Sequence, residues 1–158
     1  MYHVEKLLDE SNVRCRANAG SRKRVIECIA ELLSTPDVST DALFDALMAR
    51  ERLGSTGLGD GVAIPHCRID CGEMRAACLT LAAPIDYEAT DGKAVDLFFV
   101  LVVPEEEHNA HLEALAVLAE TFGDSANREA LRKCASDAEL LQRITAQLSR
   151  PEPNSQTA

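Results

Sequence analysis

Aromatic side chains are scarce in this chain of 158 residues, which has no tryptophan, two tyrosines and four phenylalanines. A hydrophobic core must therefore be built mainly from leucine, isoleucine, valine and alanine. A chain of this length fits one domain and can bury roughly 70% of its unfolded surface, so it needs no disulfide or metal for stability. These features predict a single domain with an aliphatic core.

Long apolar runs are also missing, because no segment approaches the roughly 18 apolar residues that a membrane-spanning helix needs. The first ten residues alternate in charge and lack the apolar centre of a signal peptide. We therefore expect a cytoplasmic protein without membrane insertion. In that compartment the six cysteines would be reduced thiols that serve as small core residues.

Basic residues are few, since 16 lysines and arginines stand against 26 acidic residues, for a formal net charge of −10. Nucleic-acid affinity comes largely from Lys and Arg contacts to phosphates, so this balance argues against nucleic acid as a partner. An acidic surface instead favours basic protein partners through electrostatic steering. A charge that serves only solubility is the alternative.

Hydrophobic periodicity predicts helices at both ends of the chain and strands in the middle. The predicted elements before the middle of the chain are helices from Ser21 to about Leu33 and from Ser39 or Thr40 to Arg50 or Arg52. The predicted strands are 62–64, 78–83 and 95–103. After them come a helix that begins between Glu105 and Asn109, with Leu115, Leu118, Ala119 and Phe122 as its buried stripe, and helices at 127–134 and 137–148. This order predicts an α/β fold, a single-domain sandwich of helices around a central mixed β-sheet over residues 1–149. The tail at 150–158 has two prolines among polar residues and is predicted to be disordered.

A glycine-rich segment at 54–61 holds four glycines in eight residues and is predicted to be irregular. A Walker A loop beginning at Gly54 would need Lys and Ser or Thr where this chain has an aspartate and a glycine. A dinucleotide fingerprint beginning at Gly57 would need Gly or Ala at Val62, and it would follow a strand and open a helix. Neither nucleotide-binding motif fits.

His66 follows a short predicted strand and Pro65, which hold its backbone in a defined direction. An imidazole with a pKa near 6.5 is mostly neutral at pH 7 and can act as a nucleophile. A phosphoryl acceptor needs such a nitrogen together with donors for the phosphate oxygens. The hydroxyls of Ser55 and Thr56 and the backbone N–H groups around Gly57 are candidate donors. An ordinary histidine at a loop end is the alternative.

His111 is the second candidate. Leu115 and Leu118 follow it at helical spacing, so it lies on the buried edge of its predicted helix, near the N-terminus. Free N–H groups and a partial positive charge at that end favour an anion. A core histidine that donates to a backbone carbonyl is the alternative.

A metal site is disfavoured by the ligand spacing. Suitable atoms are offered by His66, Cys67, Cys71, His108 and His111. Zinc sites usually show closer pairs such as Cys-x₂-Cys, whereas Cys67 and Cys71 are separated by three residues and no second pair matches them. We therefore expect no metal, with a zinc-dependent hydrolase using His66, His108 and His111 as an outlying alternative.

The segment Arg50–His66, RERLGSTGLGDGVAIPH, resembles the phosphorylation-site motif of the fructose/mannitol-type EIIA domains of the bacterial phosphoenolpyruvate-dependent phosphotransferase system. The order of predicted elements resembles that family over about residues 6–148. The resemblance implies that His66 is phosphorylated by the small carrier HPr or its nitrogen-branch paralogue, without a diffusible cofactor. It also implies that Arg50 and His111 assist at the site.

Cys67 departs from the family, which usually has glycine after the phosphorylated histidine. We expect a passive substitute, and a redox-sensitive thiol is the alternative. Arg52 is the alternative to Arg50 as the assisting arginine.

The chain shows no fused EIIB or EIIC segment, so it most resembles the nitrogen-regulatory subgroup, EIIA-Ntr, whose members act on regulated protein partners. One alternative is a free-standing EIIA that passes phosphoryl groups to an EIIB for fructose or mannitol uptake. Another is a regulatory module that binds partners without being phosphorylated.

Overall fold

The computed structural model of the protein describes residues 3–106 and 109–149. These residues form a short 3₁₀ helix at Val4–Leu7, six strands and five α-helices. The strands are β1 (Val13–Ala17), β2 (Gly57–Gly59), β3 (Val62–Ala63), β4 (His66–Ile69), β5 (Arg75–Ile85) and β6 (Val95–Pro104). The helices are α1 (Arg22–Leu33), α2 (Thr40–Arg52), α3 (Asn109–Gly123), α4 (Ser125–Arg132) and α5 (Asp137–Leu148).

The six strands form one mixed sheet in the order β1-β5-β6-β3-β2, with β4 also paired to β6. Strand β6 runs antiparallel to β5 and parallel to β3 and β4. Strands β3 and β4 follow one another along the same side of β6, where Val62 pairs with Leu97 and His66 with Leu101. Between them, the Leu101 amide donates to the carbonyl of Pro65 over 3.1 Å. His66 therefore begins a strand beside the buried centre of the sheet.

Helices cover both faces of this sheet. Apolar residues of α1 and α2 form a core cluster on one face, and those of α3, α4 and α5 form a second cluster on the other. Strand β6 contributes to both, with Phe98, Val100 and Val102 on the α1–α2 side and Leu97, Phe99, Leu101 and Val103 on the α3–α5 side. Complete burial of each such side chain stabilises the fold by about 1.5–3 kcal/mol. The predicted α/β sandwich with a central mixed sheet is confirmed, as is burial of β6 on both faces.

Side-chain caps fix the start of the first two helices. Ser21 accepts a hydrogen bond from the amide of Arg24, and Ser39 accepts one from the amide of Ala42. Each bond satisfies an N–H group that the first helical turn leaves free. Helix α2 therefore begins where predicted and ends at Arg52, directly before the glycine-rich segment.

Three strands, β1, β2 and β4, were not predicted, because their sequences lack a continuous apolar run. Strand β1 carries Arg14 and Arg16 and is only half-buried, as suits a strand at the sheet edge. Strand β4 is short and has Arg68 exposed. The prediction that 54–61 is wholly irregular was wrong, because Gly57–Gly59 pairs with β3 as a short antiparallel strand.

The ends of β5 and α4 and the buried face of α3 also differ from the predictions. Strand β5 is longer than the predicted 78–83, and α4 begins at Ser125, where Asp124 caps it. In α3 the buried residues include Ala114, whereas Ala119 is exposed, so the predicted stripe was wrong at Ala119. The tail predicted at 150–158 lies outside the described residues.

The six cysteines, all within the described residues, are free thiols. No helix in the described part of the chain is both long enough and apolar enough to cross a membrane.

Gly57 lies where two backbone segments approach closely. A Cβ atom placed on it would lie 2.8 Å from the Cβ of Ala89. We therefore expect Gly57→Ala to lower the free energy of unfolding by about 1–3 kcal/mol through overpacking, as measured by urea denaturation. Gly72→Ala is the matched control, since nothing lies within 4 Å of its added Cβ. Equal stability of the two variants would contradict the close approach.

Candidate active site

A cavity of about 500 Å³ lies at the side of the sheet, between the last turns of α2, strand β4 and the first turn of α3. Its lining residues are Arg50, His66, Arg68 and His111, with Ala46, Ala49, Leu53 and Cys67 as apolar walls. The rings of His66 and His111 have their centroids 5.3 Å apart. The structure thus brings together three predicted site residues, Arg50, His66 and His111, from three separate elements.

His66 is held in one tautomer by its own backbone. Its Nδ1 lies 2.6 Å from the carbonyl oxygen of Ile64. A carbonyl can only accept a hydrogen bond, so Nδ1 carries the proton and donates it. The lone pair of the neutral ring is therefore on Nε2. This arrangement leaves Nε2 as the nucleophilic atom.

The surroundings of His66 keep its ring neutral. Burial lowers the pKa of His66 below its ordinary value of 6.5, and the positive charge of Arg50 lowers it further. The hydrogen bond to Ile64 and the charge of Glu51 act in the opposite direction, but burial is the larger effect. Most His66 side chains are therefore unprotonated at pH 7.

A chain of hydrogen bonds supports this histidine from the end of α2. The buried carboxylate of Glu51 accepts from both the amide and the hydroxyl of Thr56. The carbonyl of Thr56 accepts from the amide of Ile64 over 3.0 Å, and the carbonyl of Ile64 accepts from His66. The direction of the imidazole thus depends on a buried carboxylate fifteen positions earlier in the sequence.

Arg50, rather than Arg52, reaches the cavity. Its Nη1 donates to the carbonyl of Gly54 over 2.8 Å, which anchors the guanidinium beside the loop. Arg52 is exposed and does not line the cavity. The planar guanidinium of Arg50 retains further N–H donors, which suit the oxygens of a phosphoryl group.

Ser55, Thr56 and Gly57 lie outside the cavity lining. The Ser55 hydroxyl donates to the carbonyl of Tyr87 and accepts from the amide of Gly57, each over 3.1 Å. The Thr56 hydroxyl donates to Glu51. These groups build the loop in the unphosphorylated protein, and their binding of phosphate stays a prediction.

His111 lies in the first turn of α3 and is half-buried. Its Nδ1 is buried and has no hydrogen-bond partner among the described residues. Burial is the largest cause that lowers the pKa of His111. The charge that His66 carries when protonated and the permanent charge of Arg68 lower it further. A purely structural histidine would donate to a backbone carbonyl, and Nδ1 makes no such bond within the described part of the chain.

Cys67 points away from His66, into the core on the α1–α2 side of the sheet. Only 7% of it is exposed, and burial raises the pKa of its thiol to about 12, with a smaller contribution from Cys71. Reactive cysteines need an accessible thiolate. The structure therefore favours the passive substitute over the redox-sensitive thiol.

The alternative of a zinc-dependent hydrolase is not supported by a cluster of metal-binding side chains in the described part of the chain. Within residues 3–106 and 109–149, no three His, Cys, Asp or Glu side chains are arranged to hold a metal ion. His108, which that alternative also used, lies outside the described residues.

Glu51 and Arg68 are site residues that the sequence analysis did not identify. Glu51 follows Arg50 in a charged run, and a buried partner for it could not be inferred from that run. Arg68 follows His66 by two positions, a spacing that places both on one face of a strand. Only recognition of β4 as a strand would have revealed it.

Comparisons with known proteins identify the family of the chain. Residues 6–147 match the family described as phosphoenolpyruvate-dependent sugar phosphotransferase system, EIIA 2. The chain belongs to this family, and it is a phosphotransfer component of that system.

Within the family, relatives of higher identity are named nitrogen regulatory proteins. The chain is 43% identical over 147 residues to a nitrogen regulatory protein of Pseudomonas aeruginosa, covering 91% of this chain and 95% of the relative. The crystal structure of nitrogen regulatory protein IIA-Ntr from Neisseria meningitidis matches with a TM-score of 0.86 and 37% identity, covering 92% of this chain and 99% of that one. IIA mannitol from Escherichia coli shares the fold, with a TM-score of 0.70 and 18% identity over 87% of this chain and 98% of that one.

Thr56→Val tests the support of the loop. The variant removes the hydroxyl donor of a buried carboxylate, so the free energy of unfolding should fall by about 1–3 kcal/mol in urea denaturation. Thr90→Val is the control at an exposed threonine, where we expect a change within about 0.5 kcal/mol. No difference between the two variants would show that the Glu51–Thr56 bond contributes nothing to the fold.

NMR titration of the ring nitrogens tests the state of His66. We expect the Nδ1–H tautomer, and half-protonation at a pH below the ordinary value of 6.5, because burial disfavours the imidazolium. The same ring in urea-unfolded protein provides the reference. A folded-state pKa above that reference, or a protonated Nε2 in the neutral ring, would contradict the geometry.

Proposed function

We propose that this protein is a nitrogen-regulatory IIA component that accepts a phosphoryl group on Nε2 of His66 from an HPr-type carrier. The supporting observation is the hydrogen bond from Nδ1 of His66 to Ile64, which leaves Nε2 unprotonated in a cavity shared with Arg50 and His111. The family membership and the regulatory relatives support the same role. We place this activity in the cytoplasm, where the carrier and its donors operate.

The proposed reaction is an in-line transfer between two histidines. The lone pair on Nε2 of His66 attacks the phosphorus, a new N–P bond forms, and the N–P bond to the carrier's histidine breaks. Nδ1 keeps its proton, and the carbonyl of Ile64 stabilises the positive charge that the phosphorylated ring gains. Positioning supplies most of the rate in such a reaction.

Charge around the cavity suits the incoming group. A phosphoryl group brings about −1.5 to −2 charges at pH 7. Arg50 offers guanidinium donors at the cavity wall. The buried Nδ1 of His111 has no hydrogen-bond partner among the described residues. We assign Arg50 to charge compensation and His111 to orienting the phosphoryl oxygens.

Exposed leucines beside the cavity provide a docking surface for a carrier. Leu53 lines the cavity and is 85% exposed, while Leu112 follows His111 and is 62% exposed. Large apolar side chains exposed beside a reactive group are typical of transient protein interfaces. The phosphorylated form would then act on regulated protein partners. Transfer to an EIIB remains the alternative downstream step.

Mass spectrometry tests phosphorylation directly. After incubation with phosphoenolpyruvate, enzyme I and HPr, or their nitrogen-branch counterparts, the wild type should gain one acid-labile phosphoryl group. His66→Ala should gain none, because it lacks the only nucleophile assigned here. His111→Gln is the companion variant, and it should still be phosphorylated, at a rate lower by about 10- to 100-fold.

The pH dependence of the initial rate provides a second readout. Only the neutral ring is nucleophilic and the pKa of His66 lies below 6.5, so the rate should still exceed half of its high-pH value at pH 6.5 and reach half only at lower pH. An unmodified wild type with both donor sets would instead support the binding-only module. A phosphoryl group that persists in His66→Ala would assign another acceptor.

A further inference from the structure

Arg68 and His66 share one face of strand β4. Side chains two positions apart in a strand point the same way, with their Cα atoms roughly 6.6 Å apart. The pairing with β6 agrees, because His66 is opposite Leu101 and Arg68 is opposite Val103, both of which face the α3–α5 side. Cys67 between them is opposite Val102 and faces the other side.

Arg68 also faces the reactive cavity from this position. It is one of the cavity's lining residues, together with His66, Arg50 and His111. Its positive field reaches His111 and contributes to lowering the pKa of that ring. The charge of Arg68 therefore lies at the cavity wall, within electrostatic range of His111.

Arg68 has no hydrogen-bonding or ion-pair partner among the residues that the structure describes. In a protein with a formal net charge of −10, Arg68 is exposed and makes no hydrogen bond or ion pair within the described residues. Arg50 differs, since one of its nitrogens is already bound to the carbonyl of Gly54. A free guanidinium fork can bind two phosphate oxygens at once.

We propose that Arg68 binds the phosphoryl group on His66 and stabilises the phosphorylated form, as a second guanidinium opposite Arg50. This inference rests on the proposed function and extends it to a residue with its own measurable effect. In this proposal Arg50 binds the phosphoryl oxygens from the end of α2, and Arg68 binds them from β4.

The equilibrium of phosphoryl exchange with HPr distinguishes this role from partner docking. The equilibrium constant between the free phosphorylated and unphosphorylated proteins depends only on contacts within each free protein. A docking contact changes the forward and reverse rates by the same factor and leaves this constant unchanged. A contact to the phosphoryl group on His66 changes the constant itself.

The experiment mixes the protein with phosphorylated HPr at several ratios and measures both phosphorylated species by intact mass at equilibrium, with both rates followed in the same samples. Arg68→Gln should lower the equilibrium constant for phosphorylation by about threefold to tenfold. Arg68→Lys keeps the positive charge but lacks the planar guanidinium with its paired N–H donors. Its equilibrium constant should lie between those of the wild type and Arg68→Gln. Arg52→Gln is the matched control, because it removes an exposed arginine that does not line the cavity, and it should leave the constant unchanged.

NMR titration of His111 in the Arg68→Gln variant tests independently whether the charge of Arg68 acts on the cavity. Removal of a positive charge should raise the pKa of His111, and Arg52→Gln should not. An unchanged equilibrium constant in folded Arg68→Gln overturns the proposal, and equal losses in both rates would then make Arg68 a docking residue. A wild type that is never phosphorylated would instead refute the proposed function, so the two failures are distinguishable.

Discussion

The hydrogen bond from Nδ1 of His66 to the carbonyl of Ile64 is the contact on which the site depends. It selects the Nδ1–H tautomer and leaves the lone pair of the neutral ring on Nε2. The bond spans only two residues, and Pro65 between them restricts the backbone that makes it possible. Its acceptor is in turn held through Thr56 to the buried carboxylate of Glu51, so the reactive ring is anchored to a helix.

The position of His66 follows from the pairing along β6. Strands β3 and β4 share one side of this buried strand, and the interruption at Pro65 falls directly before His66. A histidine on a mobile loop would lose more conformational entropy each time it was positioned for reaction. Here the sheet supplies that order in advance, while the neighbouring leucines stay exposed for a partner.

The cavity is lined by basic side chains, although the protein as a whole is acidic. The chain is strongly acidic, yet two arginines and two histidines of lowered pKa line the cavity. Burial and the nearby arginines keep both rings neutral, so one can act as a nucleophile while the cations remain available to an anion. The charge of the whole chain and the charge around the cavity are therefore opposite in sign.

Local patterns in the sequence determined much of this protein. Ser21 and Ser39 marked helix starts, the apolar run of β6 marked the buried strand, and the segment up to His66 identified the family. Only the tertiary structure decided the partners of Glu51, the convergence of Arg50 with His111, and the place of Arg68. These depend on strand pairing and on contacts between segments far apart in the chain, which periodicity does not encode, and short strands such as β1 and β4 become recognisable only beside the strands with which they pair.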